Sequence, residues 1–337
     1  MDQNALARAG GSEIVVEDLM IPSDTAGISL QLRNKRPAAL KAFTAERTIL
    51  MMHGATYSSG SLFDVPLGGF SFMDHLAAQG YDVFALDVRG YGGSTRPPEM
   101  DAPARDAEPL VRTEVGGRDL ASAVEHVLKR RGIPRLNLVA MSWGGSVAGA
   151  YTARNNEKVQ KLALVAPLWL LNTPAPIDSG GPLGAYRKVE VLNLRDRWLA
   201  AAPEAARASL VPEGWFEHWA EASLATDAQG NAETPRVMRA VNGPILDIRE
   251  YWAAGKAFYD PGDISVPVLL VHAEWDRDVT LASTQDFFCS LKRAPYRRWV
   301  EIGEGTHMVL LEKNRLQAFD AISQFLAEHY APGVPRR

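Results

Sequence analysis

The chain has 337 residues, 46% of them hydrophobic and 23% charged, with a formal net charge of -4 at pH 7 and a single cysteine. That length supports a large core in one α/β domain with an insertion or in two domains, and the near-balanced charge excludes nucleic acid as the expected partner. No apolar run approaches the roughly 20 residues that cross a bilayer, the opening MDQNALARAGGSE has no secretory pattern, and the lone Cys289 excludes an internal disulfide framework, so a cytoplasmic protein is expected, with the choice between monomer and homodimer left open.

Residues 13–21 and 27–33 are β-rich and read as an antiparallel start. RTILMMHG (47–54) and YDVFALDVRG (81–90) are short apolar runs that end in glycine turns. Residues 99–108, rich in Pro, Ala and Asp, read as a surface loop. Leu120, Val124, Val127 and Leu128 share one helical face, and Gly132 and Pro134 end that helix. LNLVAM (136–141), KLALVAP (161–167), VPVLLVHA (266–273) and YRRWVEI (296–302) continue the strand series. Leu316, Phe319, Ile322, Phe325 and Leu326 form a last helical face ahead of Pro332. Continuous apolar strands suit a sheet buried on both faces. Their alternation with helices predicts a mostly parallel sheet flanked by helices, an α/β fold.

Residues 168–264 break this rhythm. They contain no convincing buried strand, three helix-like pieces (186–202, 213–225 and 234–255) and five of the eight tryptophans: Trp169, Trp198, Trp215, Trp219 and Trp252. The expectation is a core of residues 1–167 and 265–337 with a helical cap, 168–264, inserted between two strands.

The chemistry starts at LVAMSWGGSVAG (138–149), where a buried run stops at Ser142. In the frame G-x-S-x-G, a strained strand-to-helix turn exposes a nucleophilic serine. Ala140 replaces the first glycine, so the frame here is small-x-Ser-x-small. Alone, this serine reads equally well as a helix cap. Three further loops favour the nucleophile. HGATYSSGS follows the first core strand and can aim the Ala55 N–H at a developing oxyanion, with the Trp143 N–H as second donor. EWDRDV places Asp276 just past another strand, and GEGTHMVLLE places His307 past the last one. At this point the chain resembles the α/β-hydrolase superfamily over nearly its whole length, in the chain order Ser, Asp, His, and DVRGYGGST adds to the likeness. The resemblance implies that His307 takes the proton of Ser142, that Asp276 orients the imidazole, and that acyl transfer to water needs no cofactor.

Other residues read as structural. His53 holds the oxyanion loop. His75, His126, His218 and His329 sit in helix-like segments, and Cys289 reads as a small buried hydrophobe. His272 is left open. HAEWDRD alternates His272, Glu274, Asp276 and Asp278 but lacks an H-x-x-x-H or cysteine partner, so no metal is expected. GYGGST is not a dinucleotide fingerprint.

Aromatic residues near the site suggest an apolar pocket, with Tyr57, Trp169, Trp252 and Trp275 as its expected lining. HGATYSSGSLFDVPLGGFSFMD, ALDVRGYGGSTRPPEM, YWAAGKAFYDPGDISVP and EWDRDVT with GEGTHMVLLEKNR look like a bacterial subgroup that includes monoalkyl phthalate ester hydrolases. That resemblance implies an aromatic monoester with a free carboxylate. Arg187, Lys188, Arg195 and Arg197 are the candidate cations for it. Two alternatives stand beside this reading. SWGG also resembles the elbow of proline-iminopeptidase-like aminopeptidases, with Glu217 and Glu221 as amine acceptors, although HGATY replaces their oxyanion loop. An inactive small-molecule binder of the same fold is the other.

Overall fold

Thr48–Met52, Asp82–Leu86, Leu136–Met141 and Val268–Ala273 are buried at every position, as strands covered on both faces must be. They belong to a computed structural model that describes residues 13–171 and 174–329. Its described strands are β1 (Ile14–Pro22), β2 (Ser29–Pro37), β3 (Thr48–Met52), β4 (Asp82–Leu86), β5 (Leu136–Met141), β6 (Val159–Val165), β7 (Tyr186–Val189), β8 (Met238–Val241), β9 (Val268–Ala273) and β10 (Arg297–Ile302). Eight of them form one sheet in the order β1-β2-β4-β3-β5-β6-β9-β10. The pairings β1–β2 and β2–β4 are antiparallel, and every later pairing is parallel. This is the expected mostly parallel sheet with flanking helices.

The register decides where the site forms. Met52 lies opposite both Leu86 and Ala140, and Ala273 lies opposite Ile302. The carboxyl ends of β3, β4, β5, β9 and β10 therefore share one edge of the sheet. The chain leaves β3 for β4 on one side and returns to β5 on the other, which opens a crevice at that edge.

The helix Thr113–Arg131 ends as expected, at Gly132, whose φ of 65° lets its N–H bond back to Leu128 O. The last helix, Arg315–Ala327, is capped by buried Lys161, whose ammonium donates to Phe325 O and Leu326 O at 2.8 Å. His329 lies beyond that helix rather than in it, and Pro332 lies outside the described residues. Cys289 is exposed, contrary to expectation. The buried face of its helix, Leu281–Ser290, is formed by Ser283, Thr284 and Phe287, and position 289 falls on the opposite side.

Residues 168–264 lie between β6 and β9, but they are not purely helical. Tyr186–Val189 and Met238–Val241 pair as a two-stranded antiparallel sheet, with Tyr186 opposite Val241. Both helix-like pieces, 186–202 and 234–255, thus begin as strands. Their helical periodicity comes from the short helices behind them, Arg195–Leu199 and Gly243–Asp247. The piece around 213–225 is the helix Trp215–Leu224. No helix among the described residues is long and apolar enough to cross a membrane.

Gly144 allows the helix after β5 to sit against β3. A Cβ there would lie 2.2 Å from His53 O and 2.8 Å from Met52 O. Both contacts are backbone, so no side chain can swing away. Gly144→Ala should therefore destabilise by on the order of 3 kcal/mol, the upper end for overpacking. A thermal midpoint equal to that of the wild type would show that the helix can recede.

Candidate active site

Ser142 sits between β5 and the helix Trp143–Arg154 with φ 56° and ψ -124°, a conformation that costs a non-glycine residue roughly 1–3 kcal/mol. Its surroundings hold it there. The Ser142 N–H donates to Val165 O at 2.9 Å, and Ser142 O accepts from Gly145 N at 2.9 Å and Leu168 N at 3.0 Å. The facing position is Gly54, where a Cβ would come within 3.0 Å of Ser142 Cβ.

The strand-end loops bring Ser142, His307 and Asp276 together. His307 Nε2 is 3.0 Å from Ser142 Oγ, and His307 Nδ1 is 2.8 Å from Asp276 Oδ2. With the proton on Nδ1, the ring donates to Asp276 and presents a lone pair to the Ser142 hydroxyl. Asp276 is itself fixed: its Oδ1 accepts the N–H groups of Asp278 at 2.8 Å and Val279 at 2.9 Å. Burial alone would depress the His307 pKa, but the charge and hydrogen bond of Asp276, with help from Asp278, raise it to about 9. Arg197 opposes that rise.

Asp278→Asn should therefore lower the His307 pKa, and Arg197→Gln should raise it, as followed by NMR titration of the ring at low ionic strength. Equal values in both variants would show that solvent screens these partly exposed charges.

Asp276, Asp278 and His307 also present their ligand atoms within 4.8 Å of one another. A cation there would compete with the hydrogen bonds that already occupy Asp276 and both ring nitrogens. His272 faces away from this group and bonds Val279 O through Nε2 at 3.0 Å.

Gly54, Ala55 and Trp143 border the cavity next to Ser142. Among the described residues no hydrogen bond uses the N–H of Ala55 or Trp143. Both donors are thus free at the foot of the serine. The Trp143 ring is buried elsewhere and anchors the helix through Nε1, which donates to Thr113 Oγ1 at 2.9 Å. His53 is structural, as its position suggested. Its Nδ1–H donates to Gly54 O at 2.7 Å, and its Nε2 accepts from Val88 N at 3.1 Å. Burial holds its pKa below the ordinary value, which keeps the ring in the neutral form this pairing requires.

The cavity measures about 350 Å³ and is mostly apolar. Of the expected lining, only Tyr57 is there. Trp169 packs edge-on against Tyr259 and Phe287 and donates to Asp286 Oδ2 at 2.8 Å, which turns it into the core. Trp252 is fully buried against Phe258. Trp275 packs outside the cavity, and its backbone N–H braces the His307 loop by donating to Gly305 O at 2.9 Å. The aromatic wall is instead Trp198 and Trp219, whose ring centroids lie 5.0 Å apart, with Tyr57 5.0 Å from Trp219. Sequence reasoning credited both tryptophans to the insertion without placing them.

The four candidate cations separate. Lys188 is exposed and paired with Glu233, and Arg195 is exposed. Arg187 points behind the cavity, to Thr56 and Val241. Arg197 alone borders the cavity, 3.7 Å from Asp278, together with Arg277, which sequence reasoning missed. Its only signal was its place beside the acid in DRD. Glu217 and Glu221 are both exposed, and Glu221 is engaged by Arg236 at 2.7–2.8 Å, so neither reaches the cavity. Buried Glu312 was also missed. It accepts from Thr306 N at 2.8 Å and Trp198 Nε1 at 2.6 Å, tying the His307 loop to the inserted segment.

A profile described as "alpha/beta hydrolase fold" matches residues 47–314. The chain is similar to Protein ABHD8 of Bos taurus, with 25% identity over 287 residues, 83% of this chain and 59% of that protein. It therefore spans little more than half the length of that relative. Among solved structures, a thermophilic esterase from Thermogutta terrifontis aligns with a TM-score of 0.58 and 17% identity, covering 92% of this chain and 98% of that one. A 2-hydroxy-6-oxo-6-phenylhexa-2,4-dienoate hydrolase from a Rhodococcus strain aligns with a TM-score of 0.60 and 16% identity, covering 93% and 99%.

Proposed function

The chain belongs to the alpha/beta hydrolase family, and from that premise we propose that it is a serine-dependent carboxylic ester hydrolase acting on a small aromatic monoester, such as a monoalkyl phthalate, in the cytoplasm. The observation that carries this reading is the relay Ser142–His307–Asp276 opening into an apolar cavity beside two free N–H groups. In the proposed cycle, His307 Nε2 removes the Ser142 proton as Oγ attacks the acyl carbon. The N–H groups of Ala55 and Trp143 hold the tetrahedral oxyanion. His307 then protonates the departing alcohol, and water repeats the sequence to release the acid. Asp276 keeps the imidazole in the required tautomer and stabilises the imidazolium.

The aromatic part of the proposed substrate is supported by the wall of Tyr57, Trp198 and Trp219. Its free carboxylate is supported by Arg197 and Arg277 on the exposed part of the lining. Contacts with such exposed cations are worth about 0.2–1 kcal/mol each, so kcat/KM should favour a monoalkyl phthalate over the matching dialkyl ester by roughly twofold to tenfold. Arg197→Gln with Arg277→Gln should erase that preference, while neutral p-nitrophenyl esters should change only through the shifted His307 pKa and keep their rate at the alkaline plateau. Equal rates on monoester and diester in the wild type would reduce the assignment to a general carboxylesterase.

A further inference from the structure

Arg187 lies on β7 of the inserted segment, and its guanidinium is held entirely by neutral acceptors. Nη1 donates to Val241 O at 2.9 Å and to Asn242 Oδ1 at 3.3 Å, and Nη2 donates to Thr56 Oγ1. Among the described residues no carboxylate pairs with it. The titratable groups facing it are Tyr57, Tyr91 and Arg197. An arginine stays charged at neutral pH even when burial works against it, so this is an uncompensated cation in a partly dry place.

Its partner Thr56 follows Ala55 and has φ 86°, in the left-handed region that a β-branched residue avoids. Thr56 is also buried. The loop is thus held on both sides of Ala55: His53 grips Gly54 O before it, and Arg187 grips the Thr56 hydroxyl after it. The Ala55 N–H, the free donor beside Ser142, is the group between the two grips.

We propose that Arg187 is a positioning residue of the oxyanion hole, which fixes the Ala55 N–H through Thr56 and adds an unneutralised positive charge behind the oxyanion. This rests on the serine-hydrolase reading. It makes the inserted segment part of the machinery that stabilises the transition state, beyond its role as a cavity wall. Preorganised donors and charges of this kind act on the transition state more than on the bound substrate. The effect therefore falls on kcat.

The experiment uses a neutral substrate, p-nitrophenyl butyrate, to remove any contribution from substrate charge. Arg187→Met and Thr56→Val should each lower kcat by about tenfold to a hundredfold with KM changed by less than about twofold. The double variant should be no slower than the slower single variant, because the two side chains act as one unit. Thr56→Ser, which keeps the acceptor, should recover most of the rate lost in Thr56→Val. Binding of a boronic acid transition-state analogue should weaken in parallel with kcat. Wild-type kcat in both single variants, additive losses, or a raised KM at unchanged kcat would each overturn the proposal; the last would make Arg187 a ground-state binding group. Should Arg187→Met fail to fold, the Thr56 pair alone decides. Labelling by a fluorophosphonate keeps the two levels apart. An unlabelled wild type overturns the serine reading together with this proposal, whereas Arg187→Met labelled as fast as the wild type overturns this proposal alone.

Discussion

Ser142→Ala should reduce turnover by roughly four orders of magnitude or more, since members of such a relay act as a unit. The substitution deletes the oxygen that lies 3.0 Å from His307 Nε2 and leaves the Ala55 and Trp143 donors in place. The backbone gives a second readout. Alanine at position 142 inherits φ 56°, ψ -124°, so stability should stay close to that of the wild type. Ser142→Gly should be equally inactive yet melt at a higher temperature, because glycine takes that conformation without side-chain strain. Substantial turnover by either variant would assign the nucleophile elsewhere, and an unchanged melting temperature for the glycine variant would mean that the turn stores little strain.

Asp276→Asn should cut kcat by about four orders of magnitude at nearly constant structure, and the hydrogen bonds show why. Asp276 Oδ1 accepts two backbone N–H groups, those of Asp278 and Val279. An asparagine must keep its carbonyl oxygen there, which turns its NH2 toward His307 Nδ1. That nitrogen then has to accept, the ring proton moves to Nε2, and the lone pair that would take the Ser142 proton is gone. Asp278→Asn leaves this relay intact and should change kcat far less. The reverse ranking in steady-state assays would move the acid two residues along the chain.

What was legible in the sequence follows from what short-range pattern encodes. Buried parallel strands are continuous apolar runs, so β3, β4, β5, β6 and β9 could be located, and with them the loops that carry Ser142 and Asp276; the His307 loop follows β10, a mostly half-buried strand that YRRWVEI still marked. The odd frame around Ser142 is also explained. Ala140 lies within β5, where a methyl group fits, whereas position 144 faces backbone at 2.2 Å and must be glycine. The lining was not legible. Whether Trp169 or Trp198 faces the cavity depends on how the inserted segment lies on the sheet, and each ring is equally apolar in the sequence. The strands β7 and β8 were missed because each has only four residues and pairs with a partner about 50 positions away. The contact between Arg187 and Thr56 joins residues 131 apart, which no local pattern reports.

The two carboxylates around His307 have an effect on how long the protein lasts as well as on how fast it works. A histidine whose folded pKa is raised from 6.5 to about 9 binds its proton more tightly in the folded chain than in the unfolded one. The stabilisation from that proton is complete below about pH 6.5 and is lost as the pH climbs through about 9. The neutral ring that can accept the Ser142 proton is the form gained over the same interval. Endurance and the proposed turnover thus draw on opposite states of one imidazole: a preparation stored in mild acid should outlast one held at the alkaline pH where hydrolysis through His307 is expected to run fastest.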